Sequence, residues 1–375
     1  MEKLKELLRQ QEEEIIELTR KLVEIESPSN NKEAVDRLAK YLDQELRQVG
    51  AKTEIIEQAE VGNFLKAQWG SGQDQLLILC HMDTVWPLGE VARRPFRRKG
   101  DKLLGPGVLD MKASIAILIF ALKAIKELAL KPKKKVVALL NSDEEIGSNF
   151  SRKLIETQAC RSQAVLCLEP SLADGALKTQ RKGVGVFYIK AKGRAAHAGS
   201  NHQKGISAIE ELARQIINLH QLTDYERGIT LNVGVVKGGS RSNVVPEEAE
   251  AEVDLRFLNK QDGEEMVEKI LSLKSLLPGA ELEVKGGINR PPLAKTEQNR
   301  KLYSRIKEIV ESMGLEIEEG LSGGGSDASF ASALGIATID GLGAVGDGCH
   351  ALSEYVIISS LSQRAALLSN LLLNL

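Results

Sequence analysis

The chain has 375 residues, of which 42% are hydrophobic and 27% are charged, and its net charge is -2. This length predicts two domains, and the near-neutral charge argues against a nucleic-acid partner or a membrane surface. The charged N-terminus lacks the apolar core of a secretory signal, and no stretch approaches the roughly 18 apolar residues of a membrane span. Because the four cysteines show no metal-type pairing, we expect reduced thiols in a cytoplasmic protein.

The first part of the chain alternates helices and strands. Apolar residues at a spacing of three and four predict a helix over 4–25, and a second helix over 32–49 ends at Gly50. An apolar helix is predicted over 113–128. Short apolar runs predict buried strands over 53–56, 63–69, 76–80, 136–140 and 164–168. This alternation indicates an α/β fold with a largely parallel sheet flanked by helices.

The sequence pattern changes near residue 179. From there the predicted strands are half-exposed, and the order of elements is β-α-β-β-α-β. That order predicts a ferredoxin-like split βαβ sandwich. The pattern of the first part of the chain returns after Pro291-Pro292, with a helix, a Gly-rich loop, a strand and a last helix. We therefore expect a catalytic domain in two parts, 1–178 and 290–375, with an inserted lid or dimerisation domain over 179–289.

His81 and Asp83 follow a continuous apolar run that ends where ligands bind in open α/β sheets. Two residues apart on an extended strand, their side chains point the same way. A histidine that coordinates a metal commonly gives the proton of its other ring nitrogen to such a carboxylate. The alternative is a His–Asp pair that simply caps the strand end.

Three more segments carry candidate ligands. Glu144 and Glu145 directly follow another buried strand, where adjacent carboxylates repel unless one binds metal and the other acts as a base. Glu169 ends a third apolar run. Asp110 opens a helix and could be only an N-cap, and His350, in a turn-rich stretch, could be only a surface histidine.

The charges of these residues balance around two metal ions. The five candidate ligands are His81, Asp110, Glu145, Glu169 and His350. Two divalent cations, three carboxylates, one bridging hydroxide and two neutral histidines give a neutral cluster, which a dry crevice can hold. Zinc accepts this ligand set, and Glu144 is left over to take a proton from the metal-bound water.

Several motifs, in this chain order, resemble the co-catalytic dizinc family of glutamate carboxypeptidases, aminoacylases and desuccinylases. They are His81-Met82-Asp83-Thr84-Val85, Gly105-Pro106-Gly107 with Asp110-Met111-Lys112, Asp143–Ser148, Glu169-Pro170 and Gly348-Cys349-His350. The resemblance implies that Asp110 bridges two Zn²⁺ ions, for which Co²⁺ or Mn²⁺ are substitutes. It places His81 and Glu169 on one metal, and Glu145 and His350 on the other. Glu144 is then the general base, and Asp83 is the partner of His81.

The resemblance extends to the inserted domain. His197 is similar to a lid histidine that reaches the partner subunit's active site in a homodimer and stabilises the oxyanion. Asn243 and Arg256 match positions that hold the substrate carboxylate, although Arg256 could instead pair with Asp254 or Glu252 on its strand. The Gly-rich segment around Gly324 is most similar to the glutamate carboxypeptidase branch, and this similarity implies a substrate contact at Gly324.

The expected function is metal-dependent hydrolysis of an amide bond that releases a C-terminal amino acid from a small acyl or peptidyl substrate. A metal-bridging hydroxide would attack, with Glu144 as the general base. One alternative is an N-acyl-amino-acid deacylase, such as a deacetylase or desuccinylase, with the same site. A further alternative is a non-catalytic metal-bound protein that binds amino acids or peptides.

Overall fold

A computed structural model describes residues 2–375, which form two compact units. The first unit holds the chain up to Gln180 together with Lys295–Ser322 and Ser326–Leu375. The second unit holds Arg181–Ala294 and Gly323–Gly325. The chain therefore leaves the first unit, builds the second and returns. Among the described residues, no helix combines the length and the apolar character needed to cross a membrane.

The first unit begins with three helices, α1 (Glu2–Gln10), α2 (Glu12–Glu24) and α3 (Lys32–Gln48). The single helix predicted over 4–25 is thus divided at Gln11, whose buried side chain donates to Glu127 across the unit. Asn31 caps α3 by accepting from the amide of Ala34, and Gly50 leaves the helix with a φ of 93°. This positive φ favours glycine, as the sequence indicated.

The next strands belong partly to the main sheet and partly to two smaller sheets, with helices between them. These elements are β1 (Lys52–Ile56), β2 (Phe64–Trp69), β3 (Gln75–His81), α4 (Glu90–Arg93), β4 (Arg97–Lys99), β5 (Lys102–Leu104), α5 (Ala113–Glu127), β6 (Lys135–Asn141), α6 (Arg152–Ala159), β7 (Ala164–Cys167) and β8 (Leu177–Arg181). Helix α5 is buried along almost its whole length, which explains its apolar sequence. The irregular segment Val108–Lys112 leads into α5.

The second unit is built on a four-stranded antiparallel sheet with two helices and a short two-stranded sheet. Its main elements are β9 (Gly183–Lys192), β10 (Ala196–His197), α7 (Ala208–His220), β11 (Thr230–Gly238), β12 (Val244–Val245), β13 (Glu248–Phe257), α8 (Lys260–Leu271) and β14 (Glu281–Arg290). The sheet order β11-β13-β9-β14 is that of a split βαβ sandwich. Phe187, Leu212 and Phe257 belong to its own hydrophobic core. The predicted ferredoxin-like fold is confirmed.

The last part of the chain completes the first unit. Its elements are α9 (Glu297–Ser312), β15 (Glu319–Ser322), α10 (Ala328–Ala333), β16 (Thr338–Ile339), β17 (Gly346–Asp347), β18 (Tyr355–Ile357) and α11 (Ile358–Asn374). The six-stranded sheet has the order β1-β2-β6-β3-β7-β16. Strands β6, β3, β7 and β16 are parallel, whereas β2 pairs antiparallel with β6, and β1 pairs antiparallel with β2 at the edge. This confirms the α/β class with a largely parallel sheet.

Candidate metal centre

The carboxyl ends of three adjacent parallel strands meet at one edge of the main sheet. His81 is the last residue of β3, and in the β3–β6 register it lies opposite Asn141 at the end of β6. Glu144 and Glu145 follow β6 in a single turn, and Glu169 follows β7. This edge is where open α/β sheets bind ligands, so the strand ends alone bring these side chains together.

One group of potential metal donors consists of His81, Asp110 and Glu169, whose donor atoms lie within 4.8 Å of one another. His81 Nε2 is 2.9 Å from Asp110 Oδ1 and 3.6 Å from Glu169 Oε1. His81 is buried and Asp110 nearly so. Gly343 donates its amide to the carbonyl of Glu169, and a Cβ at this glycine would clash with backbone there. The close approach behind Glu169 therefore requires glycine.

A second group consists of Asp110, Glu145 and His350, again with donor atoms within 4.8 Å of one another. His350 Nε2 lies 3.0 Å from Glu145 Oε2 and 3.4 Å from Asp110 Oδ2. Asp110 therefore uses one oxygen toward each group. His350 adopts a left-handed backbone conformation with φ 62°, which turns the half-exposed ring back toward the carboxylates.

The charges of the cluster suit a cation. Burial opposes a charge on His81, but hydrogen bonds to Asp110 and Asp83 outweigh it and raise the pKa of His81. Asp110 and Glu145 raise the pKa of His350 to about 10. Burial raises the pKa of Glu145, whereas the two histidines outweigh burial at Asp110 and lower its pKa. Positive charge between these carboxylates is therefore stabilised, and imidazole with carboxylate is a donor set that zinc accepts.

Asp83 contacts both His81 and the turn that carries Glu144 and Glu145. His81 Nδ1 is nearest the backbone carbonyl of Asp83 at 3.0 Å, and the carboxylate Oδ1 is 3.5 Å away. The fully buried carboxylate accepts from the amides of Glu144 and Glu145 and from the hydroxyl of Ser29. Asp83 thus fixes the turn that carries both glutamates. Glu144 borders the same narrow space as His81 and Glu169.

Sequence reasoning missed Glu354, which holds the Asp110 segment in place. Its buried carboxylate accepts from the amides of Gly107, Leu109 and Asp110 and from the indole of Trp86. A single glutamate therefore accepts hydrogen bonds from three backbone amides of one turn, which would otherwise be buried without partners. No local pattern signals this role, because the contact to Asp110 spans 244 residues.

We expect Glu354→Gln to lower the free energy of unfolding by about 1.5–3 kcal/mol, because its amide group would face backbone donors that need an acceptor. Urea unfolding of the metal-loaded protein measures the loss. Trp86→Phe is the matched control, since it removes one donor and leaves the three amides paired. Equal stability of Glu354→Gln and the unmodified protein would contradict this role.

Comparison with known proteins decides the family. The model for peptidase family M20/M25/M40 matches residues 77–374. This chain belongs to the M20 family of metallopeptidases. Carboxypeptidase G2 of Pseudomonas sp. (strain RS-16) is 30% identical over 370 residues, which cover 96% of this chain and 89% of that protein. The expected metal-dependent hydrolase is thereby confirmed, and the alternative of a non-catalytic binding protein is excluded.

Solved structures share the M20 fold of this chain. Aminopeptidase PepT from Bacillus cereus has a TM-score of 0.78 at 20% identity and covers 97% of this chain and 98% of its own. The metallo-carboxypeptidase Sso-CP2 from Sulfolobus solfataricus has a TM-score of 0.75 at 18% identity, covering 96% and 99%. At these identities the likeness establishes the fold alone.

The remaining predicted site residues of this M20 peptidase lie in the second unit. His197 is exposed on β10, which pairs with β12. Its Nδ1 accepts from the amides of Gly199 at 3.1 Å and Ser200 at 3.2 Å. This pairing requires the proton of a neutral His197 to lie on Nε2, which can then donate outward.

Arg256 is already paired in this unit. Its Nε and Nη2 donate to the two oxygens of Asp254 at 2.7 and 2.8 Å, the salt bridge that the sequence left open as an alternative. Asn243 is exposed, and its backbone carbonyl accepts a hydrogen bond from the amide of Ala198. The carbonyl of Gly324 accepts from Arg181 at 3.2 Å. A role in substrate binding stays a prediction for these three residues.

Proposed function

We propose that this M20 peptidase is a dizinc carboxypeptidase that releases a C-terminal amino acid, of the glutamate type, from a small peptidyl or acyl substrate. The observation that carries the proposal is the sharing of Asp110 between two donor groups, each with one further carboxylate and one histidine. A single-metal site needs no such shared carboxylate. The 30% identity to carboxypeptidase G2 supports the choice of branch.

The donor set assigns a place to each ion. His81 and Glu169 would hold one zinc, Glu145 and His350 the other, and Asp110 both. Zinc in such a site acts as a Lewis acid that polarises a carbonyl and lowers the pKa of water toward about 7. The neutral total charge expected for this set of ligands makes it compatible with the buried surroundings of His81.

Glu144 is the proposed general base. Its carboxylate is outside both donor groups but borders the same space as His81 and Glu169. It would take a proton from the attacking water and return it to the leaving amine, which keeps the amine from departing as an anion. Asp83 would set its position through the amides of the Glu144–Glu145 turn.

The second unit would complete the site in a homodimer. His197, with its proton on Nε2, is suited to donate a hydrogen bond to the oxyanion that develops on a substrate bound in the partner subunit. Arg256 would bind the free carboxylate of the substrate as a two-pronged partner, while Asp254 keeps its guanidinium oriented. Asn243 and Gly324 are the further proposed contacts.

A hydrolysis screen of the zinc-loaded protein tests the proposal. Dipeptides and aroyl amino acids with C-terminal glutamate, aspartate, leucine or lysine are compared with N-acetyl and N-succinyl amino acids, with amino acid release as the readout. We expect chelator-sensitive release with preference for a C-terminal acidic residue. Turnover confined to acetyl or succinyl substrates would assign the chain to the deacylases instead.

A further inference from the structure

A cavity of about 270 Å³ lies within the first unit, apart from the metal donors. Its walls come from the end of α9, from α11 and from the turn that follows Glu169-Pro170. The apolar part of the lining consists of Val310, Leu315, Ile317, Val345 and Leu367. The cavity is slightly smaller than typical drug-sized pockets, which begin at about 300 Å³, so it suits a small metabolite.

Arg364 on α11 lines this cavity and is only 6% exposed. Among all residues the structure describes, its guanidinium makes one hydrogen bond, from Nη2 to the carbonyl of Gly175 at 2.7 Å. Within residues 2–375, no carboxylate lies within ion-pair distance of this guanidinium. Arginine carries five N–H donors, and a buried charge without an ionic partner is costly. Burial lowers the pKa of Arg364 to about 10, with Asp174 opposing.

Two exposed acids, Asp174 and Glu316, also line the cavity. Asp174 accepts only from the amide of Ala176, which leaves its second oxygen available to a ligand, and Glu316 forms no ion pair within the described chain. The cavity thus combines a buried cation, exposed acids and apolar walls. A simple inorganic anion would use the arginine but neither the acids nor the apolar walls.

We propose that this cavity binds a free apolar α-amino acid. Its carboxylate pairs with Arg364 in a two-pronged contact, its ammonium group pairs with Asp174 or Glu316, and its side chain packs on the apolar walls. This site is separate from the metal centre, because no residue of either donor group lines the cavity. The proposal does not depend on which substrate the peptidase cleaves.

Isothermal titration of L-leucine into the full-length metal-loaded protein tests this site. We expect Arg364→Met to weaken leucine binding at least about tenfold, as the loss of a charge-assisted pair implies. Arg364→Lys keeps the charge but loses the fork, and is expected to weaken binding less. The Arg364→Lys variant also provides the test if Arg364→Met does not fold. Leucine binding that is unchanged in both variants, or that disappears only when the metals are removed, would overturn the proposal.

Ligand fragments test the chemistry of recognition. 4-Methylpentanoate lacks the ammonium group and is expected to bind more weakly than leucine, and 3-methylbutylamine, which lacks the carboxylate, is expected not to bind. Asp174→Asn retains the oxygen that accepts from Ala176, and Asp174→Asn combined with Glu316→Gln should weaken the binding of leucine without affecting that of 4-methylpentanoate. Glu311→Gln, an exposed change on the same helix as Val310 but outside the cavity lining, is the control. Equal binding of leucine and 4-methylpentanoate, or binding of sulfate as tight as leucine, would overturn the assignment to amino acids.

Discussion

Glu144→Gln is expected to lower kcat by about 10²–10⁴-fold, the usual contribution of a positioned proton-transfer group. Glutamine has the same shape but cannot accept a proton at neutral pH. Because Glu144 lies outside both donor groups, the variant should bind metal as the unmodified protein does. Its backbone amide, which donates to Asp83, is unchanged, so the turn that carries Glu145 should also persist.

Two measurements separate this result from a structural effect. Amino acid release is followed on the zinc-loaded variant, and elemental analysis after desalting gives its metal content. Glu60→Gln, an exposed change away from the cluster, is the control for charge alone. A Glu144→Gln enzyme with ordinary turnover would remove Glu144 as the base, and one that has lost metal would make it a ligand.

Much of the metal centre could be predicted because strand ends determine it. His81 ends a strand of at least four residues, and Glu145 and Glu169 follow two others. Such strands are recognisable in the sequence as apolar runs. Once the strands are parallel, their carboxyl ends share one edge, and the sequence needs no further information to bring these side chains together. One local pattern and one topological rule are therefore sufficient to account for the proximity of these side chains, while their role as metal ligands stays a prediction.

His350 illustrates the limit of this reasoning. It follows β17, a strand of two residues that pairs with β18 in a small sheet with β5 and β4. Strands this short carry no periodicity, so His350 was selected over a surface histidine by the charge balance of the candidate ligands and by the resemblance to a family. Its position depends on a left-handed backbone at φ 62°, which residue type alone does not signal.

Contacts between distant segments explain the other differences. The Asp83 carboxylate was expected to serve His81 and lies 3.5 Å from His81 Nδ1, but it also accepts from the distant Glu144 and Glu145 amides, which the sequence does not signal. Glu354 and Arg364 have no recognisable sequence signal, because their partners near Asp110 and Gly175 lie far away along the chain. Burial and pairing of single polar residues are therefore the features that required the structure.

Asp110→Asn is expected to abolish the dimetal centre, because Asp110 Oδ1 and Oδ2 are each directed at one of the two donor groups. Asparagine supplies one oxygen, and its amide group would present hydrogen atoms where the second cation binds. Loss of a residue that only hydrogen-bonds to a metal ligand lowers metal affinity by about 10–100-fold. Loss of Asp110 should lower it further, and turnover should fall with it. Elemental analysis and amino acid release measure both.

His350→Ala is the matched comparison, since His350 belongs to one donor group only. That variant should lose the ion held with Glu145 and keep the one held by His81 and Glu169, whereas Asp110→Asn should lose both. The contrast distinguishes a shared carboxylate from two independent sites. If Asp110→Asn retained two ions per chain, or if the two variants lost metal to the same extent, Asp110 would not bridge the pair, and the dizinc mechanism proposed for this chain would lose its basis.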